Sequence, residues 1–278
     1  MVPPVDHVVV DVQNRIDEAA RRYRALGFLL TERGRHSLGS VNHLAMFDSD
    51  YLELLGTGDE AGAVRPDLVG FPVGLNGLVF KLQGAEARYA DLGKRGVPAL
   101  PVQSFSRPLE LDGRREEARF HTVRLEPRVA FAARVYFCEH LTPELVWRPE
   151  WREHPNGALA LTRVVIAAQE PARVADLFER MFGPGAVAAG ADGSPCLKAG
   201  PVAVEMRPHA ALARSLGDAL PDAQGRTDYM ALLGVRVRAL SQAERALRAG
   251  GVTGVRAAQG RLLVPPTEAM NVALEFSE

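Results

Sequence analysis

The segment Val5–Val12, "VDHVVVDV", has the composition of a buried β-strand and carries an aspartate and a histidine near its start. Valine-rich runs of this length are typical of strands that are covered on both faces. The next stretch, residues 14–26, has apolar residues at helical spacing and ends at Gly27, which predicts an amphipathic helix and its stop. The chain therefore begins with a strand–helix pair.

This strand–helix pair recurs three more times along the chain. Strands beginning at Leu75, Leu161 and Leu232 align with the one at Val5 without gaps. Each predicted helix is followed by short apolar segments broken by Gly, Pro and charged residues, which indicate two or three further strands. The repetition predicts four β-α-β-β-β modules. The interval between the second and third copies is the longest, so the modules are expected to pair as one–two and three–four.

The long middle interval predicts the domain organisation. Residues 1–140 form an N-terminal domain of two modules, and residues 161–278 form a C-terminal domain of two modules. Between them, residues 141–160 read "LTPELVWRPEWREHPNGALA", which is rich in Pro, Trp and charge and is predicted to be a linker. Because four modules in one chain can complete both domains, a monomer or a homodimer is expected.

Composition excludes several classes of function. With 47% hydrophobic and 24% charged residues the chain is a normal globular protein, and its net charge of −1 predicts neither a nucleic-acid nor a membrane partner. The two cysteines, Cys138 and Cys196, make no disulfide framework and lack zinc-site spacing, which predicts a reduced, cytoplasmic protein. The N-terminus has no signal-peptide pattern. Any metal is expected to be held by His and carboxylate ligands, which suits Fe, Mn, Ni, Co or Zn.

The paired modules, the Val-Asp-His start and the later segment "YLELLG" resemble the vicinal oxygen chelate superfamily, which includes glyoxalase I, extradiol dioxygenases and bleomycin-resistance proteins. Within it, "RALGF", "NHLAMF" and "HLTPELVWRPEWREHPNG" are most similar to a bacterial glyoxalase-like group. The resemblance implies an α+β fold in which four βαβββ modules pair into two half-open β-barrel domains. It also implies that metal ligands come from the first and last strands of paired modules.

These strand positions give one candidate set for each half of the chain. In chain order they are His7, Gly77, Arg163 and Gly234 for the third residue of the first strands, and Glu53, Glu139, Glu205 and Glu275 for the last strands. A carboxylate within an apolar strand is costly to bury unless it is paired or bound to a metal. The repeated glutamate is therefore expected to have a function or a fixed partner in each module.

In the N-terminal half, His7, Glu53 and Glu139 form a predicted three-ligand set for a divalent metal (Zn, Ni, Mn, Co or Fe). His140 follows Glu139 directly, and neighbours along a strand point to opposite faces. His140 is therefore an alternative to Glu139 as the third ligand. Gly77 leaves one position without a side chain. This departs from glyoxalase I and the extradiol enzymes, where that strand supplies a ligand, and it favours a cavity that binds a small molecule without metal.

In the C-terminal half, the histidine position is taken by Arg163. A guanidinium is always charged and only donates hydrogen bonds, so it cannot bind a metal. We expect Arg163 to neutralise Glu205 and Glu275 in a structural ion-pair network, and this half to be free of metal. An anion-binding pocket is the alternative.

Three further residues are predicted to contact substrate. His36, Asn42 and His43 belong to a polar, Gly-containing loop and the strand after it, and the resemblance implies that this loop closes over the cavity. The charged segment that contains Arg107 is predicted to be a water-exposed hairpin, with a rim that attracts a carboxylate substrate as the alternative.

Two functions follow from these residues. The first is a metal-dependent lyase or isomerase acting on a small oxygen-chelating substrate in the N-terminal cavity, in which Glu53 or His43 moves the proton. The second is a metal-independent small-molecule binding or resistance protein that uses the same cavity. Metal dependence distinguishes the two.

Overall fold

Two eight-stranded mixed sheets organise the chain, and five helices accompany them in the residues that the structure describes. The structure is a computed structural model that describes residues 1–57, 68, 70–111, 113–131 and 133–278. Each sheet curves into a barrel-like half, so the fold is α+β, as the sequence predicts.

The first sheet contains the strands of modules one and two. They are β1 (Val5–Gln13), β2 (Gly34–Arg35), β3 (Ser40–Met46), β4 (Tyr51–Thr57), β5 (Gly74–Lys81), β6 (Gln103–Leu111), β7 (Arg114–Arg124) and β8 (Arg134–His140). Helices α1 (Ile16–Ala25) and α2 (Ala85–Lys94) follow the first strand of each module.

The second sheet repeats this arrangement with modules three and four. Its strands are β9 (Ala158–Ala168), β10 (Val187–Ala189), β11 (Pro195–Ala199), β12 (Val202–Pro208), β13 (Tyr229–Val237), β14 (Arg256–Ala258), β15 (Arg261–Val264) and β16 (Ala273–Ser277). Helices α3 (Pro171–Phe182) and α5 (Leu240–Ala249) follow first strands, and α4 (His209–Leu216) lies between the two modules.

The strand order is the same in both sheets. It runs β2-β3-β4-β1-β5-β8-β7-β6 in the first sheet and β10-β11-β12-β9-β13-β16-β15-β14 in the second. In each sheet the first strands of the two modules pair antiparallel at the centre, and each pairs in parallel with the last strand of its own module. The predicted four-module repeat is confirmed.

The two faces of β1 belong to different cores. Val8, Val10 and Val12 pack in a large cluster that includes residues of α1, α3 and both sheets. Val9 packs in a smaller cluster inside the first barrel. Because strand side chains alternate between faces, His7 lies on the same inner side as Val9.

A register irregularity interrupts β1 at Asp6. Its pairing with β5 shifts between Val5 and His7. Irregularities of this kind redirect side chains and are frequent beside functional sites. Here the Asp6 and His7 side chains contact each other, with 2.7 Å between Asp6 Oδ1 and His7 Nδ1. Regular strand alternation would have directed them to opposite faces.

The two halves of the chain are joined by buried polar contacts. The backbone N–H of Leu161 donates to Asp50 Oδ1 at 2.9 Å. His154 accepts from the Leu29 N–H and donates to the Met46 carbonyl, at 3.0 and 2.8 Å. Within the described ranges, no helix is long and apolar enough to cross a membrane.

Candidate functional site

Glu53 is a buried carboxylate at the centre of the first barrel. Asn42 Nδ2 donates to Glu53 Oε1 at 2.6 Å, and His36 Nε2 lies 3.9 Å from the same oxygen. The other oxygen, Oε2, lies 3.6 Å from His7 Nε2. Burial raises the pKa of Glu53, but the neighbouring charges of His7, His36 and Arg134 and the Asn42 hydrogen bond outweigh it and lower the pKa. Glu53 is therefore ionised at neutral pH.

His7 is held on three sides. Its ring stacks on Tyr51 with 4.3 Å between centroids, and the Tyr136 hydroxyl lies 3.3 Å from Nε2. On the opposite side, Asp6 Oδ1 accepts from Nδ1 at 2.7 Å and from His140 Nε2 at 3.1 Å. Burial raises the pKa of Asp6, but its contacts with His140 and His7 outweigh burial and keep the pKa well below the usual range.

The Asp6 contact fixes which nitrogen of His7 carries the proton. An ionised carboxylate only accepts hydrogen bonds, so Nδ1 must donate to it. Loss of the other ring proton, which metal binding requires, therefore leaves the lone pair on Nε2. This lone pair and the Glu53 carboxylate are then two acceptors that face each other across 3.6 Å. Two ligands of one tetrahedral ion, each about 2.1 Å from it, are about 3.4 Å apart. The His7–Glu53 pair therefore fits a divalent cation.

A buried cavity of about 40 Å³ opens beside this pair. Its polar lining residues include His7, His36, Asn42, Glu53, Gln103, Arg107, Thr122, Arg124, Arg134 and Tyr136. Phe105, Phe120 and Tyr51 add aromatic walls. The cavity is small and polar, with several groups that converge on Glu53, which is the arrangement expected of a ligand site.

The structure does not bring Glu139 to this cavity. The Glu139 carboxylate accepts from the backbone N–H groups of Gly84 and Ala85 at the start of α2, at 2.6 and 3.2 Å. The pairing of β8 with β5 ends at Lys81 and Cys138, one residue before Glu139. Glu139 thus caps a helix, and we do not include it in the ligand set.

His140 is connected to the site indirectly. Its Nε2 contacts Asp6 rather than the cavity, and its ring lies against Phe120 and Trp147. His140 is therefore a partner of the carboxylate that holds His7. A carboxylate that accepts a hydrogen bond from the other ring nitrogen of a metal-binding histidine orients that ring and raises its basicity.

Of the residues predicted to contact substrate, His36 and Asn42 line the cavity. Asn42 Nδ2 lies 3.3 Å from His36 Nε2, so this amide bridges His36 and Glu53. His43 lies on the other face of β3, where its Nδ1 donates to the Thr31 carbonyl at 2.8 Å. Burial lowers the pKa of His43. We assign His43 no role in the cavity.

The central glycines make room for neighbouring side chains. A Cβ on Gly77 would lie 2.5 Å from Val9 Cγ2, and one on Gly234 would lie 2.7 Å from Arg163 Cγ. The Gly77 position is therefore filled by Val9. In the second barrel, the absence of a side chain at Gly234 leaves room for the Arg163 side chain.

The second barrel contains the predicted Arg–Glu network. Arg163 Nη2 donates to Glu275 Oε2 at 2.9 Å, and Arg163 Nη1 lies 3.6 Å from Glu205 Oε1. Arg261 and Arg207 each contact one of these glutamates at 2.7 Å. The expected ion pairs of Arg163 with Glu205 and Glu275 are therefore present.

A second group of potential ligands lies behind His7. Asp6, Cys138 and His140 place one ligand atom each within 4.8 Å of one another, the one such group of three in the described part of the chain. Burial raises the pKa of the Cys138 thiol well above its ordinary value, and the nearby Asp6 and Glu53 charges act in the same direction. The thiol therefore stays protonated unless a cation binds there.

Sequence reasoning missed several residues of the site. The sequence places Asp6 next to His7 but does not predict the contact between their side chains, because that contact depends on the irregularity in β1. Tyr136 and Arg134 occupy alternate positions of β8 that line the cavity, and strand alternation would have indicated them once the register of β8 was known.

Solved structures of other proteins share this architecture. A hypothetical protein from Staphylococcus aureus matches with a TM-score of 0.69 at 11% identity, covering 99% of each chain. A triple mutant of 4-hydroxymandelate synthase from Streptomyces coelicolor matches with a TM-score of 0.58 at 11% identity, covering 99% of this chain and 92% of that one. At such identities the likeness shows the fold alone.

A third match is a xylose isomerase-like TIM barrel/4-hydroxyphenylpyruvate dioxygenase fusion protein, with a TM-score of 0.61 at 13% identity. The match covers 99% of this chain but only 49% of the fusion protein. Residues 5–182 match the family model described as a glyoxalase-like domain, so the chain belongs to that family. No curated protein matches it.

Proposed function

We propose that the protein is a metal-dependent lyase or isomerase that binds a divalent ion through His7 and Glu53 in the N-terminal cavity. The observation that carries the proposal is the pair of facing acceptors, His7 Nε2 and Glu53 Oε2, 3.6 Å apart in a buried cavity. Imidazole and carboxylate ligands suit Zn, Ni, Mn, Co or Fe. The vicinal oxygen chelate fold supports this assignment.

The surrounding residues prepare the two ligands. Asp6 holds His7 with its lone pair on Nε2, and the Tyr51 ring fixes the plane of the imidazole. Asn42 holds one oxygen of Glu53 and leaves the other directed at His7. Another imidazole nitrogen beside Glu53 is His36 Nε2, 3.9 Å from Oε1, which we propose as a third ligand or a substrate contact in place of Glu139.

A bound divalent ion supplies Lewis-acid polarisation of substrate oxygens and stabilises a developing enolate or alkoxide. Glu53, ionised and buried, is the carboxylate that can accept a proton from substrate in this cavity. The enclosing aromatic residues exclude bulk water, which strengthens every electrostatic interaction inside.

Metal content and thermal stability test the proposal. Protein purified without chelator is assayed for metals, and unfolding is followed with Mn, Ni, Co and Zn after chelation and reloading. We expect bound metal and a rise in unfolding temperature in the wild type, lost in His7→Ala and Glu53→Gln. His209→Ala is the matched control, because His209 lies in the second half and contacts the Thr227 carbonyl.

Cys138→Ser separates the two potential ligand groups. Metal binding that survives this variant and is lost in His7→Ala supports the His7–Glu53 pair. Metal binding that depends on Cys138 and not on Glu53 contradicts it and assigns the ion to the group of Asp6, Cys138 and His140. An absence of metal in the wild type, with no stabilisation by any of the four ions, also contradicts the proposal.

A metal-independent binding protein is the second candidate. It is favoured by the hydrogen bonds that Tyr136 and Asn42 already make to His7 and Glu53 within the cavity. In that case a small molecule would raise the unfolding temperature equally with and without chelator. For either function we propose a small-molecule partner, a monomer or homodimer, and a cytoplasmic location.

A further inference from the structure

Arg107 is a buried cation at the N-terminal cavity. It lies on β6, opposite Ala118 of β7, and is only 4% exposed. The neighbouring arginines of this hairpin, Arg114, Arg115 and Arg119, are exposed. The charged hairpin therefore turns one guanidinium inward, against the expectation that the whole segment faces water.

The Arg107 guanidinium is only partly compensated within the described chain, where Glu53 is the carboxylate whose charge acts on it. Its buried Nε has no hydrogen-bond partner, and the residue forms no ion pair with a described carboxylate. Gly34 makes room for it, since a Cβ at that position would lie 2.6 Å from Arg107 Cδ. A buried charge without a partner is strongly unfavourable unless something neutralises it. A site that admits such a group is suited to an anion.

The charge balance of the cavity supports the same conclusion. Among the described lining residues Glu53 is the single carboxylate, and Arg107 is a guanidinium whose buried Nε has no hydrogen-bond partner. Glu53 attracts Arg107 electrostatically, but its oxygens contact Asn42 and the two histidines, and it forms no ion pair with Arg107. A divalent ion would add more positive charge. Arg107 therefore keeps hydrogen-bonding capacity that an anionic ligand in the cavity can use.

We propose that Arg107 binds the carboxylate group of a small anionic ligand in this cavity. A guanidinium presents two parallel N–H donors that match the two oxygens of a carboxylate. The cavity of about 40 Å³ has room for about three waters, which is the size of a carboxylate with a short stem. The inference rests on the proposed function, because it names the class of ligand taken by the same cavity.

Acetate binding tests the assignment, with acetamide as the neutral molecule of the same shape. Unfolding temperature is measured from 0 to about 100 mM of either compound, at constant ionic strength, because screening affects charged ligands. We expect acetate to raise the unfolding temperature and acetamide to have less than a tenth of that effect. Arg107→Met should weaken acetate binding at least tenfold, which corresponds to about 1.4 kcal/mol.

Two further variants keep the test decisive. Arg107→Lys retains the charge but loses the planar pair of donors, so it should bind acetate several-fold more weakly and serves if Arg107→Met does not fold. Arg114→Met removes an exposed arginine of the same hairpin and should bind as the wild type does. Equal responses to acetate in the wild type and both Arg107 variants overturn the inference, as does equal binding of acetamide.

The same titrations are made on chelator-treated and on metal-loaded protein. Acetate binding that depends on Arg107 in the chelated protein supports the anion site even if no metal ever binds. Metal binding through His7 without any effect of acetate supports the proposed function and overturns the anion site. Inorganic phosphate that binds as tightly as acetate overturns the assignment to a carboxylate. The two proposals therefore fail separately.

Discussion

Two buried aspartates of the first barrel are expected to respond oppositely to the same substitution. Asp6 and Asp50 are 2% and 1% exposed. The contacts with His140 and His7 overcome burial and lower the pKa of Asp6, whereas burial raises the pKa of Asp50 to about 6. At pH 7.5, Asp6→Asn should therefore destabilise the protein, and Asp50→Asn should stabilise it.

The sizes of the two effects follow from their contacts. Asp6→Asn converts two charge-assisted hydrogen bonds into neutral ones, each weaker by about 1–1.5 kcal/mol, for a loss of about 2–3 kcal/mol. For Asp50, a pKa about two units above its usual value near 4 corresponds to about 3 kcal/mol at most above pH 6. The Leu161 N–H keeps an oxygen acceptor in Asp50→Asn, so most of that cost is removed.

Thermal unfolding at several pH values measures both effects. For a chain of 278 residues, about 1 kcal/mol shifts the unfolding temperature by roughly 2 °C. We expect Asp6→Asn to unfold roughly 4–6 °C below the wild type at pH 7.5 and Asp50→Asn roughly 2–5 °C above it.

The pH dependence has a definite sign for each residue. The folded state favours protonated Asp50, so the advantage of Asp50→Asn should be full above about pH 6 and vanish as the pH falls to about 4. The folded state favours ionised Asp6, so its contribution is present above about pH 4 and lost only below it. Shifts of the same sign and size in both variants at pH 7.5 would refute the reasoning.

Three further substitutions separate structural roles from ligand binding. Glu139→Gln should lower stability by about 0.5–1 kcal/mol, measured by urea unfolding, because it removes a negative charge from the start of α2, and it should leave metal content unchanged. Gly34→Ala should lower the unfolding temperature by several degrees and weaken acetate binding, since its Cβ would collide with Asn42 Oδ1 and Arg107 Cδ and displace both side chains. Arg163→Met should cost about 1–3 kcal/mol through its contact with Glu275 and have no effect on metal content, measured by elemental analysis. Altered metal content in Glu139→Gln or Arg163→Met, or unchanged acetate binding in Gly34→Ala, would contradict these roles.

The fold could be predicted from the sequence because it is repeated four times. Runs such as Val5–Val12 and the helices after them have local patterns that do not depend on the rest of the chain. The same strand–helix order appears in both sheets. Each local pattern alone is a weak predictor, but four copies in the same order predict the four-module architecture.

The site was only partly predictable, because it depends on the register between strands. His7 and Glu53 come together as predicted from their positions in the first module. Glu139 does not join them, since the β5–β8 pairing ends one residue earlier, at Cys138. Apolar spacing aligns each strand with its copies but does not fix how far one strand is displaced along its neighbour.

The charged hairpin illustrates a second limit. Its composition favours exposure to water, so the sequence predicts an exposed Arg107 like the other arginines of the hairpin. The alternation of side chains along β6 nevertheless turns Arg107 into the barrel. Which face of a strand is the inner one depends on the curvature of the sheet, and a strand with polar residues on both faces gives no sequence signal for it.

The central claim, a divalent ion between His7 and Glu53, is tested most directly by anomalous scattering from crystals grown with Mn or Zn. The account predicts one strong peak within ligand distance of His7 Nε2 and the Glu53 carboxylate, absent from crystals of His7→Ala. A peak among Asp6, Cys138 and His140 alone, or no peak in the first barrel of metal-loaded wild-type protein, would contradict it.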